Sequence, residues 1–577
     1  ELPREFLHRR GYDLMPHLPE LMFPSADGEF SRVRHDYHRT LTELFVENFS
    51  RPIGEWCGKH DIALTGHYLA EETLRSQTEA VGATMPHYEH MQWPGIDILR
   101  DQDDELSTAK QCASVADQLG RERVLSELYG ATGWDWPLEG HKFVGDWQYA
   151  AGVNFRCPHL THYSLAGGAK RDYPASIFTH SPWWKHYSLV EDYFGRLSYM
   201  LTRGTPVRDV LVIHPIASAW GLFTPRPCAS TLLERLDNDL KTVIYALSNQ
   251  HFDWDFGDET LLARHAKTSR GRIKVGRMQY SVVVVPSCVT LSKSTVRLLK
   301  RLVAGGGTVI FAGLRPDRVE GLPAKSLGDL FEKSRTCEAN AASLTGALEA
   351  VLPRRVSITE SGREMDQTWA MLRVIKGGRL LFVQSHDRQA GHRIRVRVEG
   401  RAPAVLWDAR SGQRTALDTR PAGEGFVEFE LDLPATGSAL VSLGLPAGRA
   451  AKPVAARAVV ETRSIDGPFA IERCEPNTLP LDYCRFRIGD EPWSGPLPTL
   501  AADKKIRARW GLGTRLGGEH QPWYLYATGA VDIRPRGRCE LAHDFHVTVR
   551  PAKLQLAIES PQDFEILVNG KPAGSPS

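Results

Sequence analysis

The clearest chemical signal lies in residues 123–136, which read RVLSELYGATGWDW. A short apolar run predicts a buried strand, and Glu127 comes near the end of that run, before a loop rich in Gly and Trp. A carboxylate at the carboxyl end of a buried strand, beside rings that can stack on a sugar, indicates a glycosidase site. The structural alternative is that Glu127 is an ion-paired residue at a strand end.

Glycoside cleavage needs a protonated acid at the leaving oxygen and a carboxylate that attacks the sugar or activates water. We predict that Glu127 is the carboxylate, and that Glu89 and Glu71 compete for the role of acid. Glu89 follows Tyr88 at an aromatic strand end, where partial burial would raise its pKa. Glu71 has a structural alternative, because a carboxylate also suits the start of the helix that follows it.

Other residues near predicted strand ends could bind sugar hydroxyls or stack on a ring. The predicted substrate contacts are His67, Tyr88, Trp134, Asp135, His162, Tyr163 and Arg171. A single His is explained as well by a structural role, whereas several on one face indicate a pocket. No HxH or HExxH spacing is present, so we predict no metal in the reaction and no cofactor. A structural calcium ion is left open.

The elements that must position these residues alternate between strand and helix. Strands are predicted at 62–69, 85–91, 124–128 and 154–164, with helices at 71–82, 105–120 and 139–151. This alternation predicts a parallel sheet, and its polar strand ends predict the C-terminal half of a (β/α)8 TIM barrel in residues 1–204. A complete barrel needs ~250 residues, so strands one to four are expected before residue 1, and Glu127 falls on strand seven.

The rest of the chain changes pattern twice. Residues 205–335 alternate buried strands with long helices and predict a Rossmann-like α/β domain. The glycines at 305–307 follow a helix and precede a strand, so they predict a helix C-cap, not a phosphate loop. Residues 336–445 predict a β-sandwich, 446–457 a linker, and 458–577 an incomplete second β-sandwich.

Composition excludes several other classes. The chain has 577 residues, 42% of them hydrophobic, and a net charge of only +2, so neither nucleic acid nor a membrane surface is an expected partner. No apolar run approaches the ~20 residues of a membrane span. The nine Cys residues are scattered, without CxxC pairs, and do not predict a disulfide framework.

We expect the chain to be clipped at both ends. It begins at Glu1 instead of Met, and Val568 enters an Asn-Gly turn with no evident partner strand. A signal peptide could therefore have been lost, so the compartment stays open between bacterial periplasm, secretion and cytoplasm.

These motifs resemble clan A glycosidases, in particular family 106 α-L-rhamnosidases and family 42 β-galactosidases. The resemblance rests on residues 3–6, 9–14, 18–19, 126–127, 134–136, 145–148 and 152–154. It implies a catalytic carboxylate at Glu127. A family 42-like arrangement implies an acid upstream of residue 1, and a rhamnosidase-like one implies a Glu after strand five. That position here holds His67, with Glu71 and Glu72 following.

The resemblance also extends to the later domains. Residues 205–335 resemble the amidotransferase-like domain of family 42 enzymes, and 458–577 resemble galactose-binding-like jelly rolls. We therefore predict a glycoside hydrolase that removes a terminal sugar from a plant or microbial oligosaccharide or polysaccharide. The alternatives are a non-catalytic carbohydrate-binding relative and, more weakly, an assembly protein. A homo-oligomer, the sugar and the stereochemical outcome are left open.

Overall fold

A computed structural model describes residues 1–24, 28–165, 170, 172–225, 228–446, 448, 461–472, 479–512, 537–548, 554–558 and 561–573. The chain divides into two compact units. The first contains Glu1–Thr161 and Ala175–Ala455, and the second contains His162–Pro174 and Ala456–Ser577. Both units mix helices with sheets or hairpins, and each is described by itself.

Helices are the main regular structure in the first 200 residues of the chain. They are α1 (Leu2–Arg10), α2 (Leu18–Met22), α3 (Arg32–Phe45), α4 (Arg51–Lys59), α5 (Leu74–Ala80), α6 (Met85–Tyr88), α7 (Leu106–Leu119), α8 (Leu138–Ala151) and α9 (Ser188–Leu201). A π-helical turn at Val46–Ser50 joins α3 to α4. The α7 and α8 helices end at Gly120 and Gly152, both with positive φ, which confirms the two predicted helix ends.

A three-stranded parallel sheet lies between these helices. Its strands are β1 (Gly95–Ile98), β2 (Leu125–Leu128) and β3 (Phe155–Pro158), in that spatial order. The α7 helix connects β1 to β2, and α8 connects β2 to β3. Both helices are buried along most of their length, so they hold the sheet against the core.

Two of the predicted strands are wrong. Residues 62–69 form no strand, although the Trp93 N–H donates to the Leu64 carbonyl at 3.1 Å and so ties this segment to the residues before β1. Residues 85–88 form the helix α6, because Pro86 suits the first turn of a helix. The true strand is β1, which directly follows Pro94 and, with four residues, is too short to show a clear apolar period.

The middle of the first unit contains a five-stranded parallel sheet, in the order β15-β12-β10-β5-β6. The strands of this region are β4 (Thr205–Pro206), β5 (Val210–Ile213), β6 (Trp254–Gly257), β7 (Ala266–Ser269), β8 (Arg272–Val275), β9 (Met278–Tyr280), β10 (Val282–Pro286), β11 (Thr290–Leu291), β12 (Thr308–Ala312), β13 (Arg318–Val319), β14 (Leu322–Pro323) and β15 (Arg335–Cys337). Its helices are α10 (Ile216–Leu222), α11 (Thr231–Asn249), α12 (Glu259–His265), α13 (Lys293–Ala304), α14 (Gly328–Glu332) and α15 (Ala341–Glu349). Gly306 has φ +85° just after α13, as the predicted C-cap requires.

Two antiparallel sheets follow in the first unit. Their strands are β16 (Val356–Glu360), β17 (Arg363–Glu364), β18 (Thr368–Ile375), β19 (Gly378–Ser385), β20 (His392–Glu399), β21 (Ala404–Trp407), β22 (Arg414–Ala416), β23 (Arg420–Pro421), β24 (Phe426–Leu433) and β25 (Ser438–Leu443). The sheets have the orders β17-β16-β20-β24-β23 and β22-β21-β25-β19-β18-β4. Apolar side chains from both sheets form one core, and β4 joins the second sheet from far earlier in the chain.

The second unit has less regular structure in its described residues. It contains β26 (Tyr483–Ile488), β27 (Leu497–Pro498), α16 (Thr499–Arg509), β28 (Cys539–Ala542), β29 (Leu567–Val568) and β30 (Lys571–Pro572). Residues 554–558, which fall within the predicted second β-sandwich, are not in a strand. Val568 does have a partner, since β29 pairs with β30 across the Asn-Gly turn. Among the described residues, no helix has the length and apolarity to cross a membrane.

Candidate active site

Three polar side chains converge beside the three-stranded sheet. Asp97 on β1 pairs in register with Glu127 on β2, so their side chains point to the same face. The His67 Nε2 lies 3.1 Å from the Glu127 Oε2 and 3.9 Å from the Asp97 Oδ2. All three side chains are about one quarter exposed, so they are held by the protein and still open to solvent.

His67 is oriented by its own backbone neighbour. Its Nδ1 lies 3.1 Å from the Tyr68 carbonyl oxygen, which can only accept a hydrogen bond. Nδ1 must therefore carry a hydrogen, and Nε2 is the nitrogen that faces the two carboxyl groups. On the other side of Glu127, the His159 Nε2 lies 3.5 Å from Oε1. Both oxygens of the Glu127 carboxyl thus face an imidazole.

The environment changes the acidity of Asp97. Burial raises the pKa of the Asp97 carboxyl, the His67 imidazole opposes this rise, and the negative charge of Glu127 adds to it. Its Oδ1 is buried and has no hydrogen-bond partner among the described residues. Asp97 is therefore better suited than an ordinary Asp to carry a proton beside an ionised neighbour.

The same three residues have the ligand types of a cation site. One donor atom from each of His67, Asp97 and Glu127 can be chosen so that all lie within 4.8 Å of one another. A ligating His commonly donates its other N–H to a backbone carbonyl, as His67 does to Tyr68. The arrangement could therefore support acid–base chemistry or hold a divalent cation.

The loop after β2 carries the predicted aromatic contacts. Tyr129 has φ +83°, which turns the chain sharply after the strand, and its ring packs against Trp136 with centroids 5.4 Å apart. Trp136 is buried in the core, whereas Trp134 is partly exposed and Asp135 is exposed. Trp134 and Asp135 thus remain accessible for the substrate contacts predicted for them.

Glu89 differs from the sequence prediction. Burial raises the pKa of its carboxyl, but hydrogen bonds and charge from His265 and Arg264 outweigh that effect and leave the pKa below its ordinary value. The Glu89 Oε1 lies 2.6 Å from the His265 Nε2, and Oε2 accepts from Arg264. The predicted rise in pKa is therefore wrong, because Glu89 pairs with Arg264 and His265 in the last turn of α12.

Glu71 and Tyr88 also do not line an open pocket. Tyr88 is fully buried, which contradicts the substrate contact predicted for it. Glu71 is only 3% exposed, and burial raises its pKa to about 8. Its carboxyl accepts the Tyr68 N–H at 2.9 Å, so it faces the protein backbone and cannot reach a bound sugar directly.

The remaining predicted contacts belong to other parts of the chain. His162 and Tyr163 fall in the second unit, where the His162 Nε2 lies 3.0 Å from the Asp172 carbonyl oxygen and Tyr163 is fully exposed. Arg171 lies outside the described residues. The roles assigned to these three residues stay predictions.

Sequence reasoning missed Asp97. The signal available was the run Gly-Ile-Asp-Ile behind Pro94, which places a carboxylate on a short apolar strand before the helix α7. Glu127 shows the same order of strand, carboxylate and helix. Comparing the two segments directly would have found the second carboxyl of the site.

Comparisons with known proteins show what the whole chain is similar to. A putative beta-glucuronidase of Formosa agariphila is 24% identical over 432 residues, covering 71% of this chain and 34% of its own length. A rhamnosidase structure from Novosphingobium sp. PP1Y matches with a TM-score of 0.59 and 18% identity, over 86% of this chain and 47% of its own. Gan42B, a GH42 beta-galactosidase from G. stearothermophilus, matches with a TM-score of 0.52 and 12% identity, over 73% of this chain and 70% of its own.

The chain thus spans about a third of the curated relative and about half of the rhamnosidase. At these identities the two structures show a shared fold alone. A family model goes further, because the alpha-L-rhamnosidase model of glycoside hydrolase family 106 matches residues 1–420, well over half of the sequence. This chain belongs to glycoside hydrolase family 106, the alpha-L-rhamnosidase family.

Proposed function

We propose that the protein is a glycosidase that removes a terminal sugar from a plant or microbial oligosaccharide or polysaccharide. The observation that carries this proposal is the convergence of Glu127, Asp97 and His67 at neighbouring parallel strands. Family 106 membership supports the reaction class, and it favours an α-L-rhamnoside as the first substrate to test. A β-glucuronide is the second substrate to test, because the curated relative is named a putative beta-glucuronidase.

The proposed architecture agrees with that reaction. We propose that β1–β3 with α7 and α8 are the C-terminal part of a (β/α)8 barrel, in which sites form at the carboxyl ends of strands. The five-stranded parallel sheet is proposed as a Rossmann-like domain, and the antiparallel sheets as a β-sandwich followed by a second β domain. On this reading Glu127 is a strand-end carboxylate on strand seven.

Glu127 is proposed as the nucleophile or general base. As a carboxylate it can attack the anomeric carbon or take a proton from water, and the imidazoles of His67 and His159 fix both of its oxygens. Asp97 lies on the same side of the site as Glu127, next to the same His67 nitrogen. It therefore assists Glu127 and does not act as the acid on the opposite side of the glycosidic bond. Burial raises the pKa of its carboxyl, so Asp97 holds a proton more readily than an ordinary Asp beside a sugar hydroxyl.

Two earlier candidates for the acid do not suit that role. Glu89 is ion-paired with Arg264 and His265, which favours its ionised form. Glu71 does keep a proton at neutral pH, but it is buried. The proposed chemistry uses side chains alone. A cation bound by His67, Asp97 and Glu127 would engage the reacting carboxylate, and it is not part of this proposal.

The test is a panel of aryl glycosides, assayed with the wild type and Glu127→Gln. We expect the substitution to lower kcat/KM by roughly 10³-fold or more, since it removes the reacting carboxylate. Glu122→Gln is the matched control, because Glu122 is an exposed carboxylate just before the same strand. If the wild type binds sugars but cleaves none, the non-catalytic alternative is correct. Equal activity of the wild type and Glu127→Gln would reject the assignment of Glu127.

A further inference from the structure

The segment that carries His67 has no regular structure to hold it. Residues 62–72 belong to no helix or strand. The chain turns twice around His67, with Gly66 at φ +135° and Ala70 at φ +57°. A backbone without helix or sheet hydrogen bonds must be fixed by other contacts, so the position of the His67 imidazole depends on the side chains that bind this segment.

Glu71 supplies such a contact from the protein interior. Its Oε1 accepts the Tyr68 N–H at 2.9 Å, and the side chain is almost fully buried. The main chain of Glu71 is itself held, because its carbonyl accepts from the Gln111 Nε2 at 2.9 Å and from the Gln77 Nε2 at 3.4 Å. Glu71 is therefore an anchored acceptor for the backbone of residue 68.

The Tyr68 residue connects this anchor to the site. Its N–H is held by Glu71, and its carbonyl oxygen lies 3.1 Å from the His67 Nδ1. That contact leaves the His67 Nε2 facing the Glu127 Oε2 at 3.1 Å. A continuous series of short contacts thus runs from the buried carboxyl to the proposed catalytic carboxylate.

We propose that Glu71 is a positioning residue, which holds the backbone of Tyr68 so that His67 presents Nε2 to Glu127. The proposal rests on the proposed function of Glu127. Glu71 does not touch the substrate, and its effect passes through His67. The raised pKa of Glu71, about 8, agrees with this role, because a neutral carboxyl still offers an acceptor oxygen at neutral pH.

Three substitutions of Glu71 differ in whether they keep an acceptor oxygen within reach of the Tyr68 N–H. Glu71→Gln keeps an acceptor oxygen at the same reach, so kcat/KM is expected to stay within threefold of the wild type. Glu71→Asp shortens the side chain by one methylene, and Glu71→Leu removes the acceptor, so both are expected to lower kcat/KM about 10- to 100-fold, mainly through kcat. Glu72→Gln, at the exposed next residue, is the control. If Glu71→Leu does not fold, Glu71→Asp carries the test.

A double-mutant cycle tests whether Glu71 acts through His67. In a His67→Ala background, Glu71→Leu or Glu71→Asp should cause little further loss, whereas independent effects would multiply. Multiplying effects would overturn the proposal. It would also be overturned if Glu71→Gln were as inactive as Glu71→Leu, because that result would require a proton from Glu71 itself.

The Nδ1–H group of His67 gives a measurement that needs no activity. In ¹⁵N-histidine spectra, assigned with His67→Asn, the wild type and Glu71→Gln should show an Nδ1 that carries a hydrogen and donates it to a carbonyl. Glu71→Asp and Glu71→Leu should shift this Nδ1 signal, because the Tyr68 carbonyl is no longer held beside it. An unchanged Nδ1 signal in these two variants would reject the positioning role. An active Glu127→Gln variant would instead reject the proposed function, so the two failures are distinguishable.

Discussion

The two parallel sheets of the first unit use the polar residues at their strand ends differently. In the three-stranded sheet, Asp97 and Glu127 are partly exposed and share one partner, His67. In the five-stranded sheet, the residues after the strands are buried: His214 follows β5, and Asp258 follows β6 and caps α12. A polar strand end in a parallel sheet therefore indicates a site only when the side chains stay accessible and converge.

The polar residues after the strands of the five-stranded sheet bind other parts of the protein. Asp258 accepts the N–H groups of Thr260 and Leu261 at 2.9 and 3.0 Å. Ser287, after β10, donates to the Asp239 Oδ2 and accepts the Leu314 N–H at 2.8 Å. Burial lowers the pKa of His214 to about 3, so it stays neutral. Asp258 and Ser287 stabilise local structure, and His214 remains an uncharged core residue.

The largest expected effect is on the pH dependence of stability, and it tests whether Glu71 is a buried acid close to the accessible site. Burial raises its pKa from 4.5 to about 8, so the folded state keeps a proton that the unfolded state releases between these values. Stability from this proton is full below pH 4.5 and is lost as the pH rises through 8. The free energy of unfolding, compared with Glu71→Gln, should fall by up to about 4 kcal/mol over that range.

Urea unfolding at pH 5, 7 and 9 measures this difference. The charges of Glu105 and Asp97 also raise the pKa of Glu71, and both groups are present in the wild type and in Glu71→Gln, so the comparison isolates Glu71. Glu72→Gln serves as the control and should follow the wild type. A constant difference between wild type and Glu71→Gln at all three pH values would mean that Glu71 is not the buried acid described above.

Substitution of Asp97 tests the accessible site at the three-stranded sheet. Asp97→Asn removes the titrating proton while preserving shape, and a hydrogen bond to a charged group is worth ~1.5–3 kcal/mol. We expect kcat/KM to fall roughly 10- to 100-fold, less than for Glu127→Gln, with the melting temperature unchanged or raised. Steady-state kinetics on the best aryl glycoside measure this. Unchanged kinetics would remove Asp97 from the site.

The matching substitution in the five-stranded sheet should affect stability and not activity. Asp258→Ala removes the N-cap of α12 and should cost about 1 kcal/mol of unfolding free energy. Asp258→Asn, which keeps a capping oxygen, should recover most of it. Both variants should keep kcat/KM within twofold of the wild type. A large loss of turnover in a folded Asp258 variant would break the distinction between the two sheets.

The smallest expected effect concerns cation binding at the accessible site. Two carboxyl groups and one imidazole within 4.8 Å favour a divalent cation, which would stabilise the folded state by mass action. Millimolar Ca²⁺ or Zn²⁺ should raise the melting temperature by less than ~1 °C, which in a unit of this size is worth under about 1 kcal/mol. The shift should disappear in Asp97→Asn. The same shift in both proteins would place the cation elsewhere.

Local patterns predicted part of the site. Glu127 was predicted from a short apolar run that ends in a carboxylate, and α7 and α8 begin and end within one residue of their predicted bounds. Asp97 was missed because β1 has only four residues. The partners of Glu89 could not be predicted, since Arg264 lies 175 residues away and no local pattern records such a pair.

The sequence by itself determined the strand β2 with the helices α7 and α8 around it, the family, and Glu127 as a strand-end carboxylate, because these depend on neighbours along the chain. Tertiary structure decided which polar residues meet. Register placed Asp97 beside Glu127, and an irregular segment brought His67 to both. Burial turned Glu71 inward and an ion pair engaged Glu89, because solvation and charge depend on distance in space.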